Sequence, residues 1–250
     1  MQAPQNPDVT RRALLSGSLA ASTLALGCGP RAGEATPPGD VEALLREWSA
    51  RAGVLAAARD PAEDAFVLEL CAALTQIAPD ALPPRTREGY AADGLTSGPV
   101  FGDAVFQVIE FQLAPGAIIR AHNHVGYAFV SLGVRGRVMV RHYEVEGEAP
   151  APGADLERSF HVREVASAML TPGRTSTLTR GRANIHWFQA GPEGATFYDF
   201  GVHFPEPGPG PTSFSVLEIA EAPTDARLRI HEARWLGNIY AREQASGDDR

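Results

Sequence analysis

The sequence predicts a mainly β protein in which two helices precede a barrel or sandwich of antiparallel strands. From about Val100 onward, short apolar or alternating runs recur between glycine- and proline-rich turns, a spacing typical of such folds. The 25 glycines and 20 prolines among 250 residues supply the turns that this fold requires. A hydrophobic content of 44% is enough for one main domain with a sizeable core.

The first 27 residues predict a targeting segment rather than part of the fold. Arg11 and Arg12 precede an apolar run that is too short to span a bilayer comfortably, and this pattern is typical of a twin-arginine export signal. The run ends at Cys28, in a segment similar to a bacterial lipoprotein cleavage site. We therefore expect an exported protein that is periplasmic or anchored to the membrane as a lipoprotein through lipidated Cys28.

Two helices are predicted after a flexible tether over residues 28–39, which are rich in Gly, Pro and Ala. Asp40 predicts the cap of the first helix, and Asp60, Pro61 and Glu63 predict the cap, first-turn proline and capping-box acid of the second. Apolar residues at helical spacing support both helices: Val41, Leu44, Leu45, Trp48 and Leu55, then Phe66, Val67, Leu70, Cys71, Leu74 and Ile77. Cys71 is expected to be a core residue.

Nine strands are predicted next: Val105–Leu113, Ala117–His124, Tyr127–Leu132, Arg137–Val145, Phe160–Leu170, Asn184–Ala190, Thr196–Phe204, Ser213–Ile219 and Arg227–Trp235. We expect a single domain over 40–240, with a helical extension over 40–79 and a disordered tail over 241–250. The net charge of -8, without a basic block, argues against a nucleic-acid partner. Two cysteines do not suffice for a disulfide framework.

Three histidines in strand-like segments predict a metal site. His122 and His124 are two apart and therefore point to the same face of a strand, where two imidazoles can bind a divalent transition metal. His186 offers a third imidazole in a second strand-like segment. The remaining histidines lack such a pattern and are interpreted as structural or exposed: His142, His161, His203 and His231.

Gly116, His122 and His124, with Gly136 twelve residues further on, resemble the first motif of the cupin family. Cupins are double-stranded β-helix barrels that often hold a metal. Most of them place a Glu four or five residues after the second His, where this chain has Ala128 and Phe129. The carboxylate ligand of most cupins is therefore missing.

The thiol dioxygenases, which include plant cysteine oxidases and cysteamine dioxygenase, are a cupin branch without that Glu. Residues 122–136 are similar to their first histidine segment, and 184–188 (Asn-Ile-His-Trp-Phe) resemble their third-ligand segment. Residues 214–236 resemble their closing hairpin more loosely. The resemblance spans about residues 60–237 and implies a cupin barrel in which His122, His124 and His186 bind Fe(2+).

The resemblance implies oxidation of a small thiol or an N-terminal cysteine peptide by O2 to a sulfinate. Three neutral imidazoles leave open positions on the metal and add no negative charge, so a thiolate can bind without repulsion. Asp199 falls where the family carries an acidic residue near the substrate. Arg120 is two residues before His122 and is expected to share its face, where it could hold a substrate carboxylate. Tyr127 and Tyr198 could donate hydrogen bonds near the reacting oxygen.

Two alternatives remain open on the sequence. The same three histidines would serve another metal-dependent cupin oxygenase or isomerase that acts on a non-thiol substrate. A non-catalytic periplasmic lipoprotein that uses the barrel to bind a ligand is the other alternative.

Overall fold

The computed structural model describes residues 38–59, 61–151, 155–204 and 214–237. The predicted signal segment with Cys28, the predicted tail and Asp60 lie outside the described residues. The tether prediction also lies outside them, except that its last two residues begin a helix. No helix within the described ranges is long and apolar enough to cross a membrane.

Two helices precede the strands, as predicted. α1 spans Pro38–Ala57 and α2 spans Glu63–Leu74, followed by a 3₁₀ helix at Pro79–Ala81. The apolar stripes of both helices are buried, including the following residues of the shared core: Val41, Leu45, Trp48, Phe66, Val67, Leu70, Cys71 and Leu74. This core continues into the outer face of the barrel, so that the helices cover one side of it.

The predicted starts of the two helices need correction. α1 begins at Pro38, which places Asp40 inside its first turn rather than at the cap. α2 begins at Glu63, directly after Ala62, whose side chain makes no capping hydrogen bond. Glu63 instead accepts hydrogen bonds from the backbone N–H and the Nε of Arg180. Its carboxylate thus ties α2 to the barrel.

The strands, in chain order, are β1 Tyr90–Ala92, β2 Leu95–Gly102, β3 Phe106–Leu113, β4 Ile118–His124, β5 Tyr127–Glu146, β6 Ser159–Leu170, β7 Thr175–Leu178, β8 Ile185–His203, β9 Phe214–Ile219 and β10 Ile230–Gly237. β5 and β8 each join two strands that the sequence predicted separately. They bend at shifts in their shared register without leaving the antiparallel ladder. β1, β2 and β7 were not predicted, because β2 contains Gly and Pro and β7 is largely Thr and Ser.

Two facing sheets share the long strands. The first sheet contains β3, the second half of β8, the first half of β5, and β7. The second sheet contains β4, the first half of β8, the second half of β5, and β6. Strands that cross between two antiparallel sheets form a jelly-roll barrel. The predicted double-stranded β-helix barrel with two N-terminal helices is therefore confirmed.

The bend between the two sheets requires glycine. Gly136 and Gly194 both have positive φ, at 66° and 74°. A Cβ on Gly136 would lie 2.1 Å from the carbonyl oxygen of Gly194, which no side chain permits. Gly136 of the histidine motif is thus explained by the bend at which β5 and β8 pass together from one sheet to the other.

The hairpin β9–β10 closes a second space. β9 pairs with β4 and β10 pairs with β6, so six strands form a ring in the order β8, β4, β9, β10, β6 and β5. We call the space between the two sheets the histidine compartment and the space inside this ring the hairpin compartment. The hairpin compartment has an apolar core of Ala121, Tyr143, Phe160, Val162, Ile185, Leu217, Ala233 and Trp235.

Candidate metal centre

Three imidazoles converge in the histidine compartment. Nε2 of His186 lies 2.8 Å from Nε2 of His122 and 2.9 Å from Nε2 of His124. The ligand atoms of the three all lie within 4.8 Å of one another. Cross-strand pairing of His122 with His186 joins β4 to β8 at this point. The structure therefore brings together the three predicted ligands, which we call the histidine cluster.

A β-bulge orients His122. Ile119 pairs with Phe188 and His122 with His186, so that two residues of β4 oppose Trp187 alone. The carbonyl oxygen of the bulged Arg120 accepts a hydrogen bond from Nδ1–H of His122 at 2.7 Å. This bond selects the tautomer in which Nε2 carries the lone pair, as a metal ligand requires.

The same bulge overturns the expectation that Arg120 shares the face of His122. Strict alternation would place residues two apart on one face. The extra residue in the bulge of β4 interrupts this alternation, so Arg120 and His122 point to opposite faces. Arg120 is exposed and lines the hairpin compartment with Arg141 and Trp187, on the other side of the sheet. The structure thus separates Arg120 from the histidine cluster.

His142 is a neighbour of the cluster that the sequence did not single out. It pairs with His186 across β5 and β8, and their ring centroids are 6.0 Å apart. His142 is buried and is hydrogen-bonded through Nε2 to Ser176. No local motif marks it, because the partner strands β7 and β8 come later in the chain.

Burial keeps the histidine cluster neutral. Burial lowers the pKa of His122 to about 4. It also holds the pKa values of His124 and His186 well below their ordinary range, with a further contribution from the neighbouring imidazoles. All three are therefore unprotonated at neutral pH, which is the form that binds a metal.

The donor set fits a transition metal. Nitrogens bound to one metal at about 2.1 Å and at right angles lie about 3 Å apart, close to the separations of His186 from His122 and His124. Imidazole suits iron, zinc, copper and nickel rather than magnesium or calcium. The cluster itself contains no carboxylate. Phe129, at one of the positions where most cupins would carry Glu, instead packs its ring 4.4 Å from that of His124.

A small cavity of about 190 Å³ adjoins His124. Its other lining residues are largely apolar and come from β3, β5, β8 and β9: Gln107, Ile109, Phe111, Tyr127, Phe129, Asp199 and Phe214. Two further predicted site residues, Asp199 and Tyr127, are thus placed beside the cluster. Tyr198 faces the other way, where the single O–H of its hydroxyl lies within hydrogen-bond distance of two acceptors, Pro83 O and Glu110 Oε2.

Asp199 is a buried carboxylic acid with a hydroxyl partner. Ser131 Oγ donates a hydrogen bond to its Oδ1 at 2.5 Å, and the side chain is 4% exposed. Burial raises the pKa of Asp199 to about 7, although the Ser131 hydrogen bond opposes the shift. Asp199 therefore titrates near neutrality. Tyr127 stays protonated there, because burial raises its pKa further above its usual range.

Comparison with known proteins does not assign the chain to a family. No family model matches it, and no curated protein matches it. Similar solved structures include KdgF from Halomonas sp. (15% identity, TM-score 0.34, 48% of this chain and 88% of that chain). An oxalate decarboxylase variant from Bacillus subtilis (19%, 0.37, 48% and 28%) and pumpkin seed globulin (12%, 0.38, 50% and 30%) are also similar.

These similar structures are cupin-fold proteins. The matched region covers about half of this chain and less than a third of the decarboxylase and globulin chains. At such identities and TM-scores, the similarities do not indicate what this protein binds or transforms.

Proposed function

We propose that this protein is a mononuclear iron(II) dioxygenase that oxidises a small amine-bearing thiol to a sulfinate. One observation carries the proposal: three neutral imidazoles, two of them buried and that of His124 half-buried, form a cluster without a carboxylate and adjoin a small cavity that contains a buried aspartate. The resemblance of residues 122–136 and 184–188 to the thiol dioxygenases supports the same reaction.

The charge of the cluster suits a thiolate. Bound iron(II) would supply the redox chemistry that transfers both atoms of O2 to sulfur, which zinc in the same ligands could not do. The three imidazoles contribute no negative charge, so they do not repel an anionic sulfur. Phe129 adds no negative charge beside His124 and, with the other apolar walls of the cavity, limits the access of water.

The charge of the cavity favours an amine over a carboxylate. Asp199 is the only acidic residue among those that line it, and no lysine or arginine is found among these described residues. One oxygen of Asp199 accepts from Ser131, and the other is suited to accept from a substrate ammonium. A buried ammonium beside a carboxylate forms a strong charge-assisted hydrogen bond. A substrate carboxylate would instead meet the negative charge of Asp199.

Oxygen consumption and product analysis test this function. We expect iron in the purified protein, and O2 uptake with sulfinate formation from cysteamine or an N-terminal cysteine peptide. Turnover should be slower with 3-mercaptopropionate, which carries only a carboxylate, and should vanish in His186→Ala. Iron-loaded protein that oxidises none of these thiols would contradict the proposal.

Other results would identify the alternatives. Turnover of a diketone or flavonol with manganese or nickel would indicate a non-thiol cupin enzyme. Tight ligand binding that chelators do not affect would indicate a binding protein.

We also propose, from residues 1–28 alone, that the chain is exported by the twin-arginine route and is periplasmic or lipid-anchored. Fractionation of cells that express the wild type and Cys28→Ala would test this.

A further inference from the structure

The ligand His124 occupies the most weakly paired position of the three. It is the last residue of β4, and the register of β4 with β8 ends at Asn123 and Ile185, beyond which the N–H of His124 still donates to the backbone carbonyl of Asn184 at 3.3 Å. β9 still pairs with it through Phe214. By contrast, His122 is paired on both sides, with His186 and with Val216. A strand end next to a turn is the part of a ladder that opens most easily.

The side chain of Asn184 adds to this long backbone hydrogen bond. Its Oδ1 accepts a hydrogen bond from the backbone N–H of His124 at 3.1 Å, and its Nδ2 donates to the backbone carbonyl of His124 at 2.9 Å. The side-chain amide thus bonds to both backbone polar groups of His124, and its bond to the N–H is shorter than the one from the backbone carbonyl of Asn184. Nδ2 also donates to Thr179 O at 3.2 Å, and this bond further fixes the orientation of the side-chain amide.

The turn that presents Asn184 is held in a specific conformation. Ala183 has a φ of 54°, a left-handed conformation that is unfavourable for a residue with a Cβ. It is buried, and its N–H donates to Glu144 Oε1 at 3.1 Å. The two arginines of the same turn form ion pairs with α2, Arg180 with Glu63 and Arg182 with Asp64. The surrounding contacts therefore maintain a strained turn next to Asn184.

We propose that Asn184 is a positioning residue, which holds the backbone of His124 so that its Nε2 stays in register with that of His186. Asn184 precedes His186 by two residues, so one short segment supplies one ligand and orients another. The role of Asn184 rests on the metal site of the proposed function, but not on the identity of the thiol.

Binding of Co²⁺ to the metal-free protein tests this role without turnover. The visible absorption of bound Co²⁺ reports the coordination geometry, and competition with a chelator reports the affinity. Loss of a group that orients a ligand typically weakens metal binding about 10–100-fold, and we expect this weakening and an altered spectrum in Asn184→Ala. Asn123→Ala is the matched control, because Asn123 is also buried but bonds to the N–H of Ser215 instead. It should leave affinity and spectrum unchanged.

Each outcome decides the proposal. Unchanged Co²⁺ affinity and spectrum in Asn184→Ala would overturn the role of Asn184 alone, whereas a wild type that binds no Co²⁺ would overturn the metal centre and this role with it. Asn184→Ser covers the case in which the alanine variant does not fold. If neither variant folds while Asn123→Ala does, Asn184 is a folding residue and the proposed role is wrong.

Discussion

The two compartments lie on opposite faces of one sheet, and they differ in how far their polar side chains are exposed to water. Along β8, His186 and Phe188 face the histidine compartment, while Ile185 and Trp187 face the hairpin compartment. The histidine compartment buries His122, His142, His186 and Asp199 and leaves His124 half-buried. The hairpin compartment opens into a groove of about 670 Å³, in which charged side chains remain near water.

The two compartments also differ in the partners of their charged side chains. In the groove, Arg141 lies over the ring of Trp187 at 5.0 Å, and the groove residue Glu218 pairs with Arg234 at 2.6 Å in an exposed ion pair. In the histidine compartment, the carboxylate of Asp199 accepts a hydrogen bond from the hydroxyl of Ser131, and burial raises its pKa to about 7. Charged residues on the groove side of these sheets thus remain ordinary surface charges, whereas burial on the other side gives neutral imidazoles and an aspartate with a raised pKa.

Removal of a ligand should give the largest difference between the compartments. His122→Ala, His124→Ala and His186→Ala should each lose bound iron and reduce turnover more than about 100-fold, beyond the loss expected for a residue that only orients a ligand. His231→Ala is the control from the hairpin compartment, where Nδ1–H of His231 donates to Ala220 O. It should keep its iron. Full iron content and turnover in any of the three cluster variants would show that its residue is not a ligand.

The pH dependence of stability should reveal the burial of Asp199. Its folded pKa of about 7 exceeds the ordinary value of 3.8, so the folded state holds this proton more tightly. The resulting stabilisation is complete below about pH 4 and is lost as the pH rises to about 7.

Urea unfolding of metal-free wild type and Asp199→Asn measures this effect. Between about pH 4 and pH 7, the free energy of unfolding of the wild type should fall relative to that of the variant by on the order of 4 kcal/mol, because a pKa difference of one unit corresponds to about 1.4 kcal/mol. Glu218→Gln, in the exposed pair, should show little change. If the difference in free energy of unfolding between wild type and Asp199→Asn did not change with pH, Asp199 would not be desolvated in the folded protein.

Substrate preference should distinguish Asp199 from Arg120. Truncating one partner of a buried charge pair costs about 2–5 kcal/mol, so Asp199→Asn should lower kcat/KM for cysteamine at least tenfold relative to 3-mercaptopropionate. Arg120→Ala should leave both values unchanged, because Arg120 lies on the far side of the sheet. Steady-state kinetics with both thiols decides this. A selective loss for 3-mercaptopropionate in Arg120→Ala would mean that the groove binds the substrate.

A carboxylate at position 129 should produce the smallest of these effects. Phe129 lines the cavity beside His124, so Phe129→Glu should preserve metal but slow thiol oxidation severalfold, by occupying an open position and repelling the thiolate. Two variants serve as controls. Phe129→Leu removes the aromatic ring without adding a charge, and Ile118→Glu places the same charge on the exposed face of β4. Metal analysis and kinetics of the three variants test this. Wild-type kinetics in metal-loaded Phe129→Glu would contradict the prediction.

Local patterns were sufficient for the repeating features of this protein. The helical spacing of apolar residues predicted both helices, the recurring short strands predicted an antiparallel sandwich or barrel, and alternation along a strand predicted the shared face of His122 and His124. These features depend on a period that a few neighbouring residues determine. Gly136 was visible as part of a motif, but its close approach to Gly194 becomes apparent only when β5 and β8 pair and bend together.

The sequence alone determined which residue types could bind a metal, and the tertiary structure decided which other residues accompany them. Arg120 was assigned to the wrong face because a bulge exists only relative to the partner strand. The pKa of Asp199 and the proximity of His142 to His186 depend on burial by strands far away in the chain. Desolvation and pairing register are properties of the assembled sheets, so no local pattern of residues encodes them.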